Sequence, residues 1–192
     1  TVNGTKASIP FGNLRTQIGN AFNCASDALA APILSFANAE PGKTDEGDPI
    51  RFTLSRLTSI LNLEVKGGAN ADKVRYLLLT SENEAQTLSA ESIDFDISDT
   101  GSGLAFSQTA PSNVIALGFE QGTAPDANDI NAFFNIMPGS YDKLTVDVIT
   151  ATRIGTVAIE RGADKPFAAG KLYKRAETPV FAPLEAPSFD WP

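Results

Sequence analysis

The stretch from Asn131 to Glu160 most constrains the fold, because apolar residues recur there at every second position. The alternating residues are Ala132, Phe134 and Ile136 in a first run, Leu144, Val146 and Val148 in a second, and Val157 and Ile159 in a third. A period of two places each set on one face of a β-strand. Between the first two runs, Met137-Pro138-Gly139-Ser140 favours a turn, because Pro presets φ and Gly tolerates positive φ. The pattern predicts three consecutive antiparallel strands with one buried face.

Length and charge exclude several classes of partner. The chain has 192 residues, of which 42% are hydrophobic, and this composition can supply the core of one large β domain. A net charge of −8 argues against nucleic acid and against anionic membrane surfaces. The apolar runs are too short to span a bilayer. We therefore expect no nucleic-acid partner and no membrane insertion of this domain.

The residues that catalysis most often uses are scarce. Histidine is absent and Cys24 is the one cysteine, so the commonest general base and an intrachain disulfide are both excluded. Dinucleotide, P-loop and nucleophile-elbow motifs are also missing. Paired carboxylates keep a glycosidase open in principle, but any chain with 23 acidic residues contains such pairs. We expect a protein that is not an enzyme and has no cofactor.

Two acidic clusters have the oxygen-rich composition that Ca²⁺ prefers. The first comprises Asp45, Glu46 and Asp48, and the second comprises Asp94, Asp96 and Asp99 with Gly101. The second lacks the terminal bidentate Glu of a calcium loop. A solvated loop explains the first cluster, and a strand with outward Asp residues explains the second. We therefore predict no metal site.

The remaining pattern predicts further strands and two regions of the chain. The predicted strands are Lys6–Phe11 (at an edge because of Pro10), Ile33–Phe36, Thr58–Lys66, Lys73–Thr80, Val114–Phe119 and Leu172–Lys174, with short pieces at Leu88 and Ile93–Ile97. One helical turn is expected at Ser26–Ala31, where Pro32 ends it. We expect a single β-sandwich domain over residues 1–177, with N-terminal strands and loops in 1–47 and the core in 48–177. Residues 178–192 form a Pro-rich apolar tail.

The tail combines proline with large apolar side chains. These side chains are Val180, Phe181, Leu184, Phe189 and Trp191. Exposing so much apolar surface to water is costly, so the tail either packs on its own domain or docks on another one. Tyr141, Tyr173, Phe189 and Trp191 lie near turns or the end of the chain and are candidates for stacking on a sugar.

Four pieces of the sequence follow one another in a distinctive order: RLTSILNLEV (Arg56–Val65), VIALGF (Val114–Phe119), AFFNIMPGSYDKLTVDV (Ala132–Val148) and PFAAGKLYKR (Pro166–Arg175). Taken in this order, they resemble the fimbrillin family, the surface pilins and pilin-like adhesion proteins of gut and oral anaerobic bacteria. The resemblance implies a transthyretin-like fold. Together with the alternation, it leads us to expect an all-β Greek-key β-sandwich of about seven to nine antiparallel strands with few short helices.

The resemblance also implies a role in cell adhesion as a pilus subunit, exported as a lipoprotein precursor to the cell surface or outer membrane. Family members lose an N-terminal strand by proteolysis after Arg or Lys, and a neighbouring subunit's extended segment fills the groove that opens. Lys6 and Arg15 are the candidate processing residues, and we prefer Arg15. The tail is the candidate strand-exchange segment or a linker to a second domain. The expected partners are other pilin subunits or host and bacterial surface ligands; the alternative is a surface glycan-binding or scaffold module.

Overall fold

The chain folds into β-strands joined by turns. The computed structural model describes residues 2–3, 6–22, 33–35, 53–55, 57–67, 72–96, 106–162 and 164–184. The strands in these ranges are β1 (Val2–Asn3), β2 (Lys6–Pro10), β3 (Leu14–Gln17), β4 (Ile33–Ser35), β5 (Thr53–Ser55), β6 (Ser59–Lys66), β7 (Val74–Ser81), β8 (Ser89–Asp96), β9 (Phe106–Ser112), β10 (Val114–Phe119), β11 (Asp129–Ile136), β12 (Leu144–Thr150), β13 (Arg153–Ile159), β14 (Leu172–Glu177) and β15 (Phe181–Pro183). No helix that is long and apolar enough to cross a bilayer occurs among these residues.

Two sheets supply the sandwich. The larger has the strand order β15-β13-β12-β7-β10-β3, and the smaller has the order β11-β6-β14. A further sheet has the order β1-β2-β8-β9, and β4 pairs with β5. The expected all-β sandwich is confirmed. The expected count of seven to nine strands is too low, and the Greek-key, transthyretin-like connectivity stays a prediction.

The core lies between the two main sheets. Its buried side chains include Leu61, Leu63 and Val65 of β6, Phe134 and Ile136 of β11, Leu77 and Leu79 of β7, and Val146 and Val148 of β12. These residues occupy alternate positions of their strands, as the period of two predicts. Burying apolar surface stabilises the fold by about 25 cal/mol per Å², so this interior is the main stabilising element.

The three strands of the 131–160 stretch do not share one sheet. β12 pairs antiparallel with β13, as expected. β11 instead pairs with β6 over its whole length, and β12 pairs with β7. The turn after Ile136 therefore carries the chain from one sheet to the other, so the predicted antiparallel pairing of β11 with β12 is wrong. Alternation fixes which face of a strand is buried, but it does not identify the neighbouring strand.

Two strand pairs are parallel, which the all-antiparallel expectation missed. β14 runs parallel to β6, and β3 runs parallel to β10. Parallel pairing requires a long connection between the two strands, and local sequence patterns carry no signal of it. β14 also extends to Glu177, beyond the predicted end at Lys174.

Other predictions near the sheet edges have mixed outcomes. β2 lies between β1 and β8, so the predicted edge position of this strand is wrong. Among the described residues, β1 pairs with Lys6 and Ala7 alone, so Pro10 has no neighbour on that side of β2. β9 was not predicted, because its sequence FSQTAPS is polar and contains a proline. The predicted helical turn at Ser26–Ala31 lies outside the described residues.

Tyr141 closes the corner that follows β11. Its hydroxyl donates to the Met137 carbonyl oxygen at 2.7 Å, and the Thr87 carbonyl oxygen lies at 3.0 Å. Its ring packs edge-on against Phe167, with 5.7 Å between the centroids. Burial raises the pKa of the Tyr141 hydroxyl above its usual value, because the phenolate would lose its hydration.

We expect Phe134→Ala to lower the free energy of unfolding by about 3–5 kcal/mol, because the substitution leaves a cavity in the core. Phe134 is 1% exposed, whereas Leu172 is 50% exposed on β14. Leu172→Ala is therefore the control and should cost about 1 kcal/mol or less. Urea unfolding of the two variants measures the difference, and equal costs would contradict this account of the core.

We expect Tyr141→Phe to cost about 1 kcal/mol at pH 8, because the variant loses the hydroxyl hydrogen bond. The pKa of Tyr141 is raised in the folded state, so this contribution is present below the unfolded pKa near 10 and is lost above it. At pH 11 the unfolded wild type gains about 1.4 kcal/mol by ionising, and the variant cannot. Urea unfolding at both pH values should show the wild-type advantage vanish at pH 11; a difference that is the same at both pH values would show that Tyr141 does not ionise differently in the two states.

Candidate functional site

The segment from Lys6 to Phe22, here called the N-terminal edge segment, supplies one strand to each of two sheets. Its first strand, β2, pairs antiparallel with β8. Its second strand, β3, ends the six-stranded sheet by parallel pairing with β10. The link between them is also bonded, since the Phe11 N–H donates to Glu91 at 3.1 Å and the Asn13 carbonyl accepts from Ala116 at 2.7 Å. The segment thus supplies an almost continuous row of backbone partners.

Two apolar side chains anchor the first half of this segment. Phe11 is buried and forms a small cluster with Ile93 of β8 and Met137, which follows β11. Ile9 packs against the same cluster. Anchors at positions i and i+2 lie on one face of an extended chain. The described edge of β8 therefore carries an apolar pocket that residues 9 and 11 fill.

Arg15 points into the sandwich. It pairs with Leu117, a core residue, and is itself only 5% exposed. Its Nε donates to the Gly12 carbonyl at 2.7 Å, and its guanidinium lies 4.4 Å from the centre of the Phe11 ring. The predicted processing bond after Arg15 is thus part of a paired strand, and a protease reaches it only when β3 opens. Whether cleavage occurs stays a prediction.

Gln17 connects β3 to the opposite sheet. Its side chain is fully buried. The amide nitrogen donates to the Asn131 carbonyl at 2.7 Å and to the Gly19 carbonyl at 2.7 Å. The amide oxygen accepts the Phe133 N–H at 2.9 Å. One side chain therefore satisfies two backbone groups on the edge of β11.

Asn20 extends this arrangement along β11. Its amide oxygen accepts the Asn131 N–H at 2.8 Å, and its amide nitrogen donates to the Asp129 carbonyl at 2.9 Å. Gly19 makes the approach possible, because its φ of 52° lies in the left-handed region that glycine adopts most readily. We call the side chains of Gln17 and Asn20 the amide clasp. Phe22 follows, and its ring packs edge-on against Phe133 at 4.7 Å.

The first half of the C-terminal tail lies on its own domain. β15 pairs with β13 over Arg153–Gly155. Gly155 is required there, since a Cβ would lie 2.9 Å from the Phe181 ring. Phe181 packs against the core, whereas Val180 and Leu184 are exposed. The candidate docking residues Phe189 and Trp191 lie outside the described residues.

A shallow cavity separates this tail from the second half of β13. Its volume is about 400 Å³, and its lining residues include Thr156, Ala158, Pro179 and Val180. Its lining holds one carboxylate, Glu177, and Glu177 lies 3.7 Å from Arg175. The cavity therefore offers extended backbone and apolar surface, but no paired groups for acid–base chemistry.

The two predicted sugar-stacking aromatics that the structure describes, Tyr141 and Tyr173, are engaged in packing. Tyr141 is buried, so it has no open ring face. The Tyr173 hydroxyl accepts the Ala168 N–H at 2.8 Å, and Arg161 lies 4.3 Å from the Tyr173 ring centre. The aromatic side chain that does face solvent on a main sheet is Tyr76, which is 45% exposed. Alternation alone did not reveal that this face of β7 is open.

The acidic clusters show no metal centre in the parts of the chain that the structure places. Asp94 accepts from Thr109 at 3.1 Å, and hydrogen bonds, first from Ser8 and then from Thr109 and Ser92, lower its pKa. Groups of three metal-ligating side chains are absent from these parts. The cluster at Asp45, Glu46 and Asp48 lies outside the described residues, as do Asp99, Gly101 and Cys24.

Comparison with known proteins gives a distant structural neighbour. No family model matches the sequence, and no curated protein matches it. A solved structure from Bacteroides ovatus ATCC 8483, provisionally described as a cell adhesion protein, is similar with a TM-score of 0.40 and 12% identity. The match covers 71% of this chain and 47% of that chain, so this chain spans about half the length of its neighbour. A likeness at this level carries no conclusion about function.

We expect Gln17→Met to speed tryptic cleavage after Arg15 at least about tenfold. The variant loses side-chain hydrogen bonds that contribute about 0.5–1.5 kcal/mol each. The cleavage rate follows the fraction of molecules in which β3 has opened, and this fraction rises when those bonds are lost. Val157→Ala is the control, since it weakens the core at β13, which three strands separate from β3 in the sheet, and it should leave this local opening unchanged. Mass spectrometry measures both rates, each divided by the rate of the matching free peptide 12–20. Equal acceleration in the two variants would contradict a local role for Gln17.

Proposed function

We propose that this chain is a non-enzymatic, pilin-like adhesion subunit of the cell surface that assembles with its neighbours by exchanging β-strands. The observation that carries the proposal is the placement of residues 6–15. They lie along the edges of β8 and β10, and Ile9 and Phe11 fill a pocket there. Their removal therefore leaves β6, β7, β11 and β12 intact, exposes one edge of β8 beside an apolar pocket, and exposes part of one edge of β10.

A cut after Arg15 would release β1, β2 and the first half of β3. β8 then loses its backbone partner along Ser92–Asp96, and β10 loses its partner at Ala116 and Leu117. A bare strand edge beside side-chain pockets is the surface that β-augmentation uses, with backbone bonds for affinity and alternate side chains for register. The pocket selects a strand that carries two apolar residues at i and i+2, as Ile9 and Phe11 do.

The sequence of the tail has this spacing. Phe189 and Trp191 stand two positions apart, with proline on either side of the pair at Pro187 and Pro192. We propose residues 178–192 of a neighbouring subunit as the incoming segment. The fimbrillin resemblance implies strand exchange of this kind, and its four pieces include residues of β6, β10, β11, β12 and β14 in the two main sheets. Export as a lipoprotein and residence at the outer membrane rest on that resemblance alone.

Peptide binding to the cut chain tests the proposal. The full chain is treated briefly with an arginine-specific protease, and the product cut after Arg15 alone is isolated. A labelled peptide of residues 5–15 and a labelled peptide of residues 178–192 should both bind this product, and neither should bind the intact chain. A 5–15 peptide carrying Phe11→Ser is the matched control and should bind at least about tenfold more weakly, because it loses the anchor. Fluorescence anisotropy measures the affinities.

The same material tests assembly. The cut chain should form larger species in light scattering, and deletion of residues 185–192, which keeps β15 on its own domain, should abolish them. Failure of both peptides to bind the cut chain would contradict the exchange mechanism. Unaltered assembly after the deletion would exclude the tail as the incoming strand.

A further inference from the structure

We propose that Gln17 and Asn20 decide which edge of the sandwich accepts a partner strand, because the amide clasp closes the outer edge of β11 and leaves β8 as the accepting edge. The β8 half of this statement rests on the proposed function. The β11 half rests on hydrogen bonds in the described chain alone.

β11 is a terminal strand of its sheet. Its inner side pairs with β6 over eight residues, and β6 is its one strand neighbour in that sheet. Four of its outward backbone groups nevertheless have partners, and all four partners are side-chain amides: those groups are the Asp129 carbonyl, the Asn131 N–H and carbonyl, and the Phe133 N–H. The amides therefore occupy the places that the backbone of a further strand would take.

The carboxamide group suits this task because it has the donor and the acceptor of a peptide group. Gln17 donates to the Asn131 carbonyl and accepts from the Phe133 N–H, two residues further on. A residue of a parallel strand forms the same pair of bonds with its neighbour. The Gln17 side chain thus forms the hydrogen bonds of one residue of a parallel strand. The Asn20 side chain forms the equivalent pair with the Asp129 carbonyl and the Asn131 N–H.

An edge with free N–H and C=O groups is a template for another chain. β11 is a strong candidate for such pairing, because its outer residues include Phe133 and its ladder with β6 is long. The clasp follows Arg15 in the chain, so a cut after Arg15 leaves both amides attached to the body. The β11 edge therefore stays closed at the moment when the β8 edge opens, so β11 does not compete with β8 for the incoming strand.

The test uses the full chain with Gln17→Met and Asn20→Leu together, which remove the amides and keep side chains of similar size. Thr16→Ser, in the same segment, is the control. Hydrogen exchange followed by NMR should show the amides of Asn131 and Phe133 exchanging at least about tenfold faster in the double variant. The amides of Ala132 and Phe134, which belong to the ladder with β6, should keep their protection. Sedimentation should show self-association of the double variant beyond that of the control.

Three outcomes would overturn the proposal. Unchanged protection of Asn131 and Phe133 would show that the clasp does not close the edge. An equal loss of protection at Ala132 and Phe134 would show that the Gln17 and Asn20 side chains stabilise the fold in general and do not act on one edge. An open edge without self-association at any concentration would show that β11 attracts no strand. Binding of the 5–15 peptide to the chain cut after Arg15 is a separate readout, so its failure removes the strand-exchange mechanism and leaves the β11 result standing.

Discussion

The hydrogen-bonding demand of exposed strand edges organises this molecule. A peptide group without a partner is costly in a buried setting and invites foreign chains in an open one. The interior strands meet the demand with long ladders: β6 has β11 and β14 on its two sides, and β7 has β12 and β10. At the perimeter, short strands and side chains meet the same demand. β3 and β15 end the six-stranded sheet with four and three residues, and two side-chain amides close β11.

Long ladders and the core cluster therefore stabilise the interior strands, whereas few apolar contacts hold the strands at the perimeter. The buried core cluster draws its side chains from β6, β7, β10, β11, β12 and β13 and from the loops between strands, and none of them belongs to β2 or β3. The N-terminal edge segment has backbone partners on β8 and β10, but two apolar anchors and the clasp are its main side-chain contacts. Local opening has a low free energy where few apolar contacts hold a segment. A protein that exchanges strands with its neighbours requires this contrast, because an edge strand has to leave while the core stays folded.

The sequence predicted the interior better than the perimeter, for a physical reason. Alternation at Leu144, Val146 and Val148 reports a half-buried strand, and β12 lies there. The partner of each strand depends on contacts between distant residues, so the pairing of β11 with β6 and the parallel pair of β3 with β10 left no local trace. The clasp was missed because Arg15 and Gln17 are polar residues at inward positions of a strand. Their alternation with Leu14 and Thr16 is the one signal that could have pointed to it.

The parallel pair of β3 with β10 also affects the order in which the chain can fold during synthesis. Residue 14 pairs with residue 116, so the ribosome makes the first strand of this pair about a hundred residues before the second. At 5–20 residues per second the wait is on the order of 5–20 s. Contacts this distant in sequence also form late, because a long loop must close first. β3 is therefore among the last strands to pair. A nascent chain passes through a stage in which the edge of β10 has no partner, and a strand of another chain can pair there instead.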